Sequence, residues 1–141
     1  MIVSVEKSVG TRGQGDAHDL TGMVQDAVTA SGLRAGLATV FVRGSTAGVT
    51  TLEFEAGVVH DVDTALRIVA PREGDYRHHL RWGDDNGSSH VRAALVGPSL
   101  TVPFTAGQLL LGNWQQIVLL EFDTSPRRRE IVIQLLGETG E

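Results

Sequence analysis

Apolar and polar residues alternate from the start of the chain. Ile2, Val3, Val5 and Val9 mark residues 1–10 as a strand. A polar turn broken by Gly13 and Gly15 is expected over residues 11–18, with His18 exposed at its end. The period then changes. Leu20, Met23, Val24, Ala27 and Val28 recur at helical spacing. Asp19 or Thr21 can cap that helix, and Ser31-Gly32 ends it, because glycine accepts the left-handed conformation past a helix C-terminus. Alternation returns over residues 36–43, with Leu37, Thr39 and Phe41 on one side, and again over 49–54 after a turn at 44–48.

Val58, Val59, Val62, Ala65, Leu66 and Val69 predict a second amphipathic helix, stopped by Pro71. Downstream the pattern is strand-like. Residues 91–96 read as one strand, Gly97-Pro98-Ser99 as a turn, and Leu100, Val102 and Phe104 as another strand. A hairpin turn at 105–107 leads into 108–111. Residues 114–122 are expected to form the longest strand, with Trp114 in the core, and 128–136 to close the domain after a turn at 123–126. Two early helices and a late run of short strands predict an α+β class: an antiparallel or mixed, jelly-roll-like β-sandwich with two helices, in one domain over residues 1–141. No glycine fingerprint follows a strand, so a doubly wound dinucleotide fold is not expected.

Composition narrows the chemistry. The formal charge of −5 offers no global attraction to nucleic acid, which is not expected as a partner. With no cysteine, disulfides, thiolate nucleophiles and Cys-based zinc sites are excluded, and a metal would have to rest on His, Asp or Glu. No stretch approaches the ~18 apolar residues of a membrane span, so a cytoplasmic protein without a membrane partner is the expectation.

Residues 76–92 carry the densest chemistry. They hold His78, His79 and His90, the acidic turn Asp84-Asp85-Asn86-Gly87, and Ser88 and Ser89. His78 and His90 bracket the turn and are the candidate imidazole pair, for proton transfer or for a divalent metal, zinc or magnesium. A metal needs three or four ligands, and Asp84, Asp85 and Glu121 are the candidates for the remainder. In an extended segment His79 points away from His78. The turn also begins like a calcium loop, but the later Glu is missing. Neither serine has a neighbouring base placed by sequence alone.

Two further stretches suit an anion. Residues 44–48 form a small turn in which Ser45, Thr46 and backbone N–H groups can approach a phosphate or carboxylate, although the Lys of a Walker loop is absent. In the basic run 127–129, Arg127 and Arg129 share a strand face and suit bidentate phosphate binding. Glu53 and Glu55 share a face as possible ligands, and Gln115 is a candidate polar contact. No organic cofactor is expected. The plainer readings are a hairpin at 44–48, a charged strand edge at 127–129 and histidines that only pack.

The combination Gly44-Ser45-Thr46-Ala47-Gly48 with Glu53, Tyr76-x-His78, Ser89-His90, Gly97-Pro98-Ser99-Leu100, Pro103, Gly107, Gly112-x-Trp114-Gln115, Glu121-Phe122-Asp123 and Arg127-Arg128-Arg129 resembles the YjbQ family, often labelled secondary thiamine-phosphate synthases. The likeness spans roughly residues 36–137. It implies a jelly-roll-related α+β sandwich, a homotrimer, and a metal-compatible histidine site near the subunit interfaces. Many relatives carry His where this chain has Gly44, and some where it has Ser89, leaving His78 and His90 as the matched imidazoles. The label implies joining a hydroxymethylpyrimidine diphosphate to a thiazole phosphate, or acting on a related anionic small molecule. Arg127 to Arg129 would then face the departing diphosphate, and Asp85, Gln115 or Glu121 the pyrimidine. The rival expectation is a non-catalytic trimer that binds a metabolite or a metal.

Overall fold

A computed structural model describes residues 1–140. Eight strands and four helices follow in the order β1 (Ile2–Thr11), β2 (Ala17–Asp19), α1 (Thr21–Ser31), β3 (Ala35–Val42), β4 (Ala47–Leu52), α2 (Ala56–Val69), α3 (Arg77–Trp82), α4 (Gly87–Val96), β5 (Ser99–Thr105), β6 (Gln108–Leu109), β7 (Gln116–Glu121) and β8 (Arg127–Glu138). All strand pairs are antiparallel. They form a five-stranded sheet in the order β1-β8-β3-β5-β6 and a three-stranded sheet in the order β2-β7-β4. The expected α+β class with antiparallel sheets is what the chain adopts.

Strand periodicity explains the layers. In β8, Ile131, Ile133 and Leu135 point inward beside Val40 and Val42 of β3, and meet Val49, Ile117 and Leu119 from the smaller sheet. Helix α1 adds Val24 and Val28 to that core. β7 is buried on both faces: its alternate residues Val118 and Leu120, with Phe122, pack against Ala93 of α4 and Val62 and Leu66 of α2. The smaller sheet is therefore held between the larger sheet and the helices, and its chain ends open beside α3 and α4.

Several expectations are corrected. The turn at 11–18 contains β2, and His18 is half-buried there, with Nε2 2.8 Å from Asp16 Oδ2. Residues 76–92 are not one loop but two short helices, α3 and the start of α4, joined by a turn in which Gly83 is left-handed (φ 63°). Residues 91–96 are helical rather than extended, making four helices where two were expected. The reason is an inverted pattern. On α4, Ser88, Ser89, Arg92 and Ala93 face inward at helical spacing, while Val91 and Leu95 are exposed. Polar residues occupy the buried face, so the apolar positions alone mimic a strand. The longest strand is β8, not 114–122, and Trp114 is 76% exposed because β7 starts only at Gln116. Glu55 caps α2, accepting from the N–H groups of Gly57 and Val58, which hold its carboxyl below the usual value against the opposing effect of desolvation. Among the described residues no helix is long and apolar enough to cross a membrane.

Candidate functional site

A cleft of about 420 Å³ opens where the β3–β4 turn, the β7–β8 turn and the α3–α4 junction meet. The turn supplies Gly44, Ser45 and Thr46; the helices supply His78, Trp82, Asp84, Asn86 and His90; the second turn and β8 supply Asp123, Arg127 and Arg129. Seven sequence candidates, Ser45, Thr46, His78, Asp84, His90, Arg127 and Arg129, thus converge from three separate stretches. A larger groove of about 500 Å³ near Arg34 and Gly107 carries one charged side chain, and so has much less chemistry to offer.

His78 and His90 face each other with ring centroids 4.4 Å apart and planes tilted by 40°. His78 Nδ1 lies 3.3 Å from Asp84 Oδ1, but the alignment is too poor for a hydrogen bond, and this buried nitrogen has no partner. The neighbour carboxylate is therefore Asp84. Asp85 sits at positive φ (54°) with its side chain in solvent, nearer to His79 than to the cleft. His79 is occupied: its Nε2 accepts from the Gly87 N–H at 3.2 Å, and its ring meets Tyr76 edge-on.

Behind the cleft runs a saturated polar network. Arg129 donates through Nε to Glu121 Oε1 at 2.8 Å and through Nη2 to Glu121 Oε2 and to Thr46 Oγ1, the last at 2.7 Å. Glu121 also accepts from Thr11 Oγ1 at 2.6 Å and from the Asp123 N–H at 3.1 Å. All four bonds to this carboxylate, which is 1% exposed, come from the protein. Glu121 consequently lies beneath the cleft and orients Arg129 rather than facing a ligand. Thr46 is spent in the same way, since its hydroxyl donates to Asp123 Oδ2 at 2.8 Å while accepting from Arg129.

Asp123 joins the network to the helices. Its Oδ2 accepts from Thr46, from Asn86 Nδ2 at 3.2 Å and from Arg127 at 3.0 Å, while Oδ1 takes the Ser125 N–H. Burial pushes its carboxyl up, but these donors outweigh burial and hold it down at about 2. Asn86 in turn accepts from the Thr124 N–H through Oδ1, tying the start of α4 to the β7–β8 turn.

Gln115 is not brought to the cleft. It lines a separate groove with Thr51, donating to its hydroxyl at 3.2 Å and accepting from the Gly112 N–H. Asp84, a sequence candidate, is brought to the cleft beside His78, whereas the roles of Asn86 and of the Gly44 gap were missed, and Asp123 entered only as part of a motif. A usable signal was the Asp-Thr-Ser-Pro turn directly after Phe122, where a carboxylate can accept local N–H groups.

A divalent metal would find two imidazoles and Asp84 here. Among the described residues no three His, Asp or Glu side chains are grouped so as to hold an ion. The donor set of one chain does not fit a metal without a further ligand.

A small sandwich whose turns and helix junction collect histidines and arginines in one cleft defines an α+β protein with a polar, anion-suited site. The model of the UPF0047 protein YjbQ-like family matches residues 6–138, and the chain belongs to that family. A UPF0047 protein of Methanothermobacter thermautotrophicus is 38% identical over 120 residues, 85% of this chain and 82% of that one. One from Mycobacterium tuberculosis is 46% identical over 98 residues, covering 68% and 71%. The crystal structure of a YbjQ-like protein of unknown function from Sulfolobus solfataricus P2 superposes with a TM-score of 0.88 at 28% identity, over 98% of this chain and all of that one. That of a Clostridium acetobutylicum protein of the same family gives 0.84 at 34%, covering 94% and 99%.

Proposed function

We propose that the cleft binds a small phosphorylated or otherwise anionic substrate and that His78 and His90 move protons on it. The observation that carries this reading is the convergence of the histidine pair with Arg127 and Arg129 in one open cleft. Guanidinium groups match phosphate oxygens, and imidazoles are suited to proton transfer near neutral pH. In the thiamine-phosphate form of the reaction, a thiazole nitrogen attacks the pyrimidine methylene carbon. The carbon–oxygen bond to the diphosphate breaks with its electron pair, and pyrophosphate leaves. The arginines would balance the charge growing on that leaving group, and a histidine would supply its proton.

Zinc or magnesium at His78 and His90 stays a proposal that requires a third ligand from a neighbouring subunit, and no step above depends on it. A homotrimer is proposed with it. Its support is an exposed apolar row on the outer face of the five-stranded sheet, where Leu37 pairs with Leu136 and Pro103, and Leu136 with Ile2.

The test is purified protein given hydroxymethylpyrimidine diphosphate and thiazole phosphate, with pyrophosphate release followed. Turnover that falls about a hundredfold in His78→Ala and in His90→Ala is expected for a lost proton-transfer group. Ligand-induced thermal stabilisation without any turnover would instead favour the non-catalytic binding protein.

A further inference from the structure

Arg129 has three guanidinium nitrogens, and two are committed to Glu121 and Thr46. Nη1 has no hydrogen-bond partner in the described structure, although the side chain is only 7% exposed. Nη1 is not among the fully buried unpaired nitrogens, so on an otherwise locked side chain it is the one guanidinium nitrogen that reaches the cleft.

Gly44 leaves it uncovered. Its φ of 135° belongs to a region that L side chains rarely adopt, and a Cβ built there would stand 2.7 Å from Arg129 Nη1. Any side chain at this position would cover or displace the nitrogen. The missing Cβ therefore keeps a fixed, charged N–H group open to the cleft, and Glu121 fixes the direction in which it points.

The surroundings select what binds. Asp123 lines the cleft, but its Oδ2 already accepts from three donors and its charge is largely met. Asp84 stands beside His78. Arg127 is half-exposed and uses Nη2 on Asp123, leaving part of its fork free, and the exposed Ser45 hydroxyl lies next to Gly44. Around Arg129 the open groups are thus donors from two strand ends, with the half-exposed Asp84 carboxylate set apart beside His78, a pattern that fits a tetrahedral oxyanion better than a planar carboxylate.

We infer that Gly44 makes Arg129 the receptor of a phosphoryl group: Nη1, uncovered by the absent side chain, holds one phosphate oxygen while Arg127 and Ser45 hold others. This deepens the reading that the cleft takes an anion, and rests on it. It does not depend on any reaction there.

Inorganic phosphate, phenyl phosphate and acetate are titrated into the full chain carrying 15N-labelled arginine, and the guanidinium resonances are followed. Phosphate and phenyl phosphate are expected to shift the Arg129 signals saturably, with acetate far weaker. Gly44→Ala should weaken phosphate binding about tenfold or more, the loss of one charge-assisted hydrogen bond. If Gly44→Ala does not fold, the wild-type titration still decides. Phosphate binding that leaves the Arg129 signals unmoved, no phosphate binding at all, or acetate binding as tightly as phosphate would each overturn the assignment. Arg129 shifts on phosphate binding in a protein that never turns over a phosphorylated compound would leave this inference standing while the proposed reaction falls.

Discussion

His78 and His90, twelve residues apart in the chain, stack with ring centroids 4.4 Å apart because the left-handed turn at Gly83 folds α3 back onto the start of α4. The pair should behave as one unit. In a double-mutant cycle to alanine, a coupling of about 0.5–1.5 kcal/mol is expected, the range of contacting aromatic rings. His90→Ala should also move the ring resonances of His78 far more than those of the exposed His60. Additive stabilities and an unmoved His78 spectrum would mean that the rings do not touch in solution.

Glu121 and Arg129 form the buried anchor of the cleft. Removing one partner leaves an uncompensated charge in a dry site, so Glu121→Ala is expected to cost about 3–5 kcal/mol in urea unfolding. Replacing both with apolar residues of similar size should cost clearly less than the single change, since the desolvation penalty goes with the charges. A double variant as unstable as Glu121→Ala would argue that shape rather than charge governs the site.

Asp123 makes the protein sensitive to acid. Its carboxyl is held at about 2, below an ordinary value of 3.8, by Ser125, Thr46, Asn86 and Arg127 against the opposing push of burial. A depressed value favours the folded state once the unfolded group is ionised. The contribution, roughly 2 kcal/mol, is present above about pH 4 and is lost as pH falls towards 2. Asp123→Asn should therefore lower stability at pH 7 and flatten the decline between pH 4 and 2. Asp16 and Asp63, also held below their usual values, keep part of the slope. Parallel acid-unfolding curves for the two proteins would show that Asp123 is not the group responsible.

Except for the short β2, the strands and helices α1 and α2 were legible because their apolar residues face inward, as Ile131, Ile133 and Leu135 do along β8. The helix pair α3–α4 was not. There the inward face carries Ser88, Ser89 and Arg92, the last bound to Asp63 and to the Ala70 carbonyl, so hydrophobic periodicity could not reveal it. The histidine pair and the two anion-suited stretches were visible as residue types. Their convergence was not visible, because it depends on long-range pairing of β4 with β7 and of β8 with β3. Glu121 shows the limit of residue type. A carboxylate chosen as catalytic proves to be the buttress of an arginine, and only its four hydrogen bonds distinguish the roles.

The outer face of the five-stranded sheet bears on assembly. Antiparallel register sets Ile2, Leu136, Leu37 and Pro103 in one row across four strands, and Phe41 beside Val132 four residues along β3. Leu136 is 53% and Leu37 46% exposed, on a sheet face that carries no covering layer of its own chain. Such a row on a twisted sheet suits burial against a second copy, and repetition of one contact around a threefold axis closes a ring. Leu37→Asp places a charge in the middle of the row, where burial against apolar neighbours would cost several kcal/mol by the usual penalty for an unpaired buried charge. The expected result is a wild-type protein that sediments as a trimer and a Leu37→Asp variant that sediments as a monomer with an unchanged circular dichroism spectrum. A wild-type chain that remains monomeric at high concentration would remove the trimer, and with it the neighbouring subunit that a metal at His78 and His90 requires.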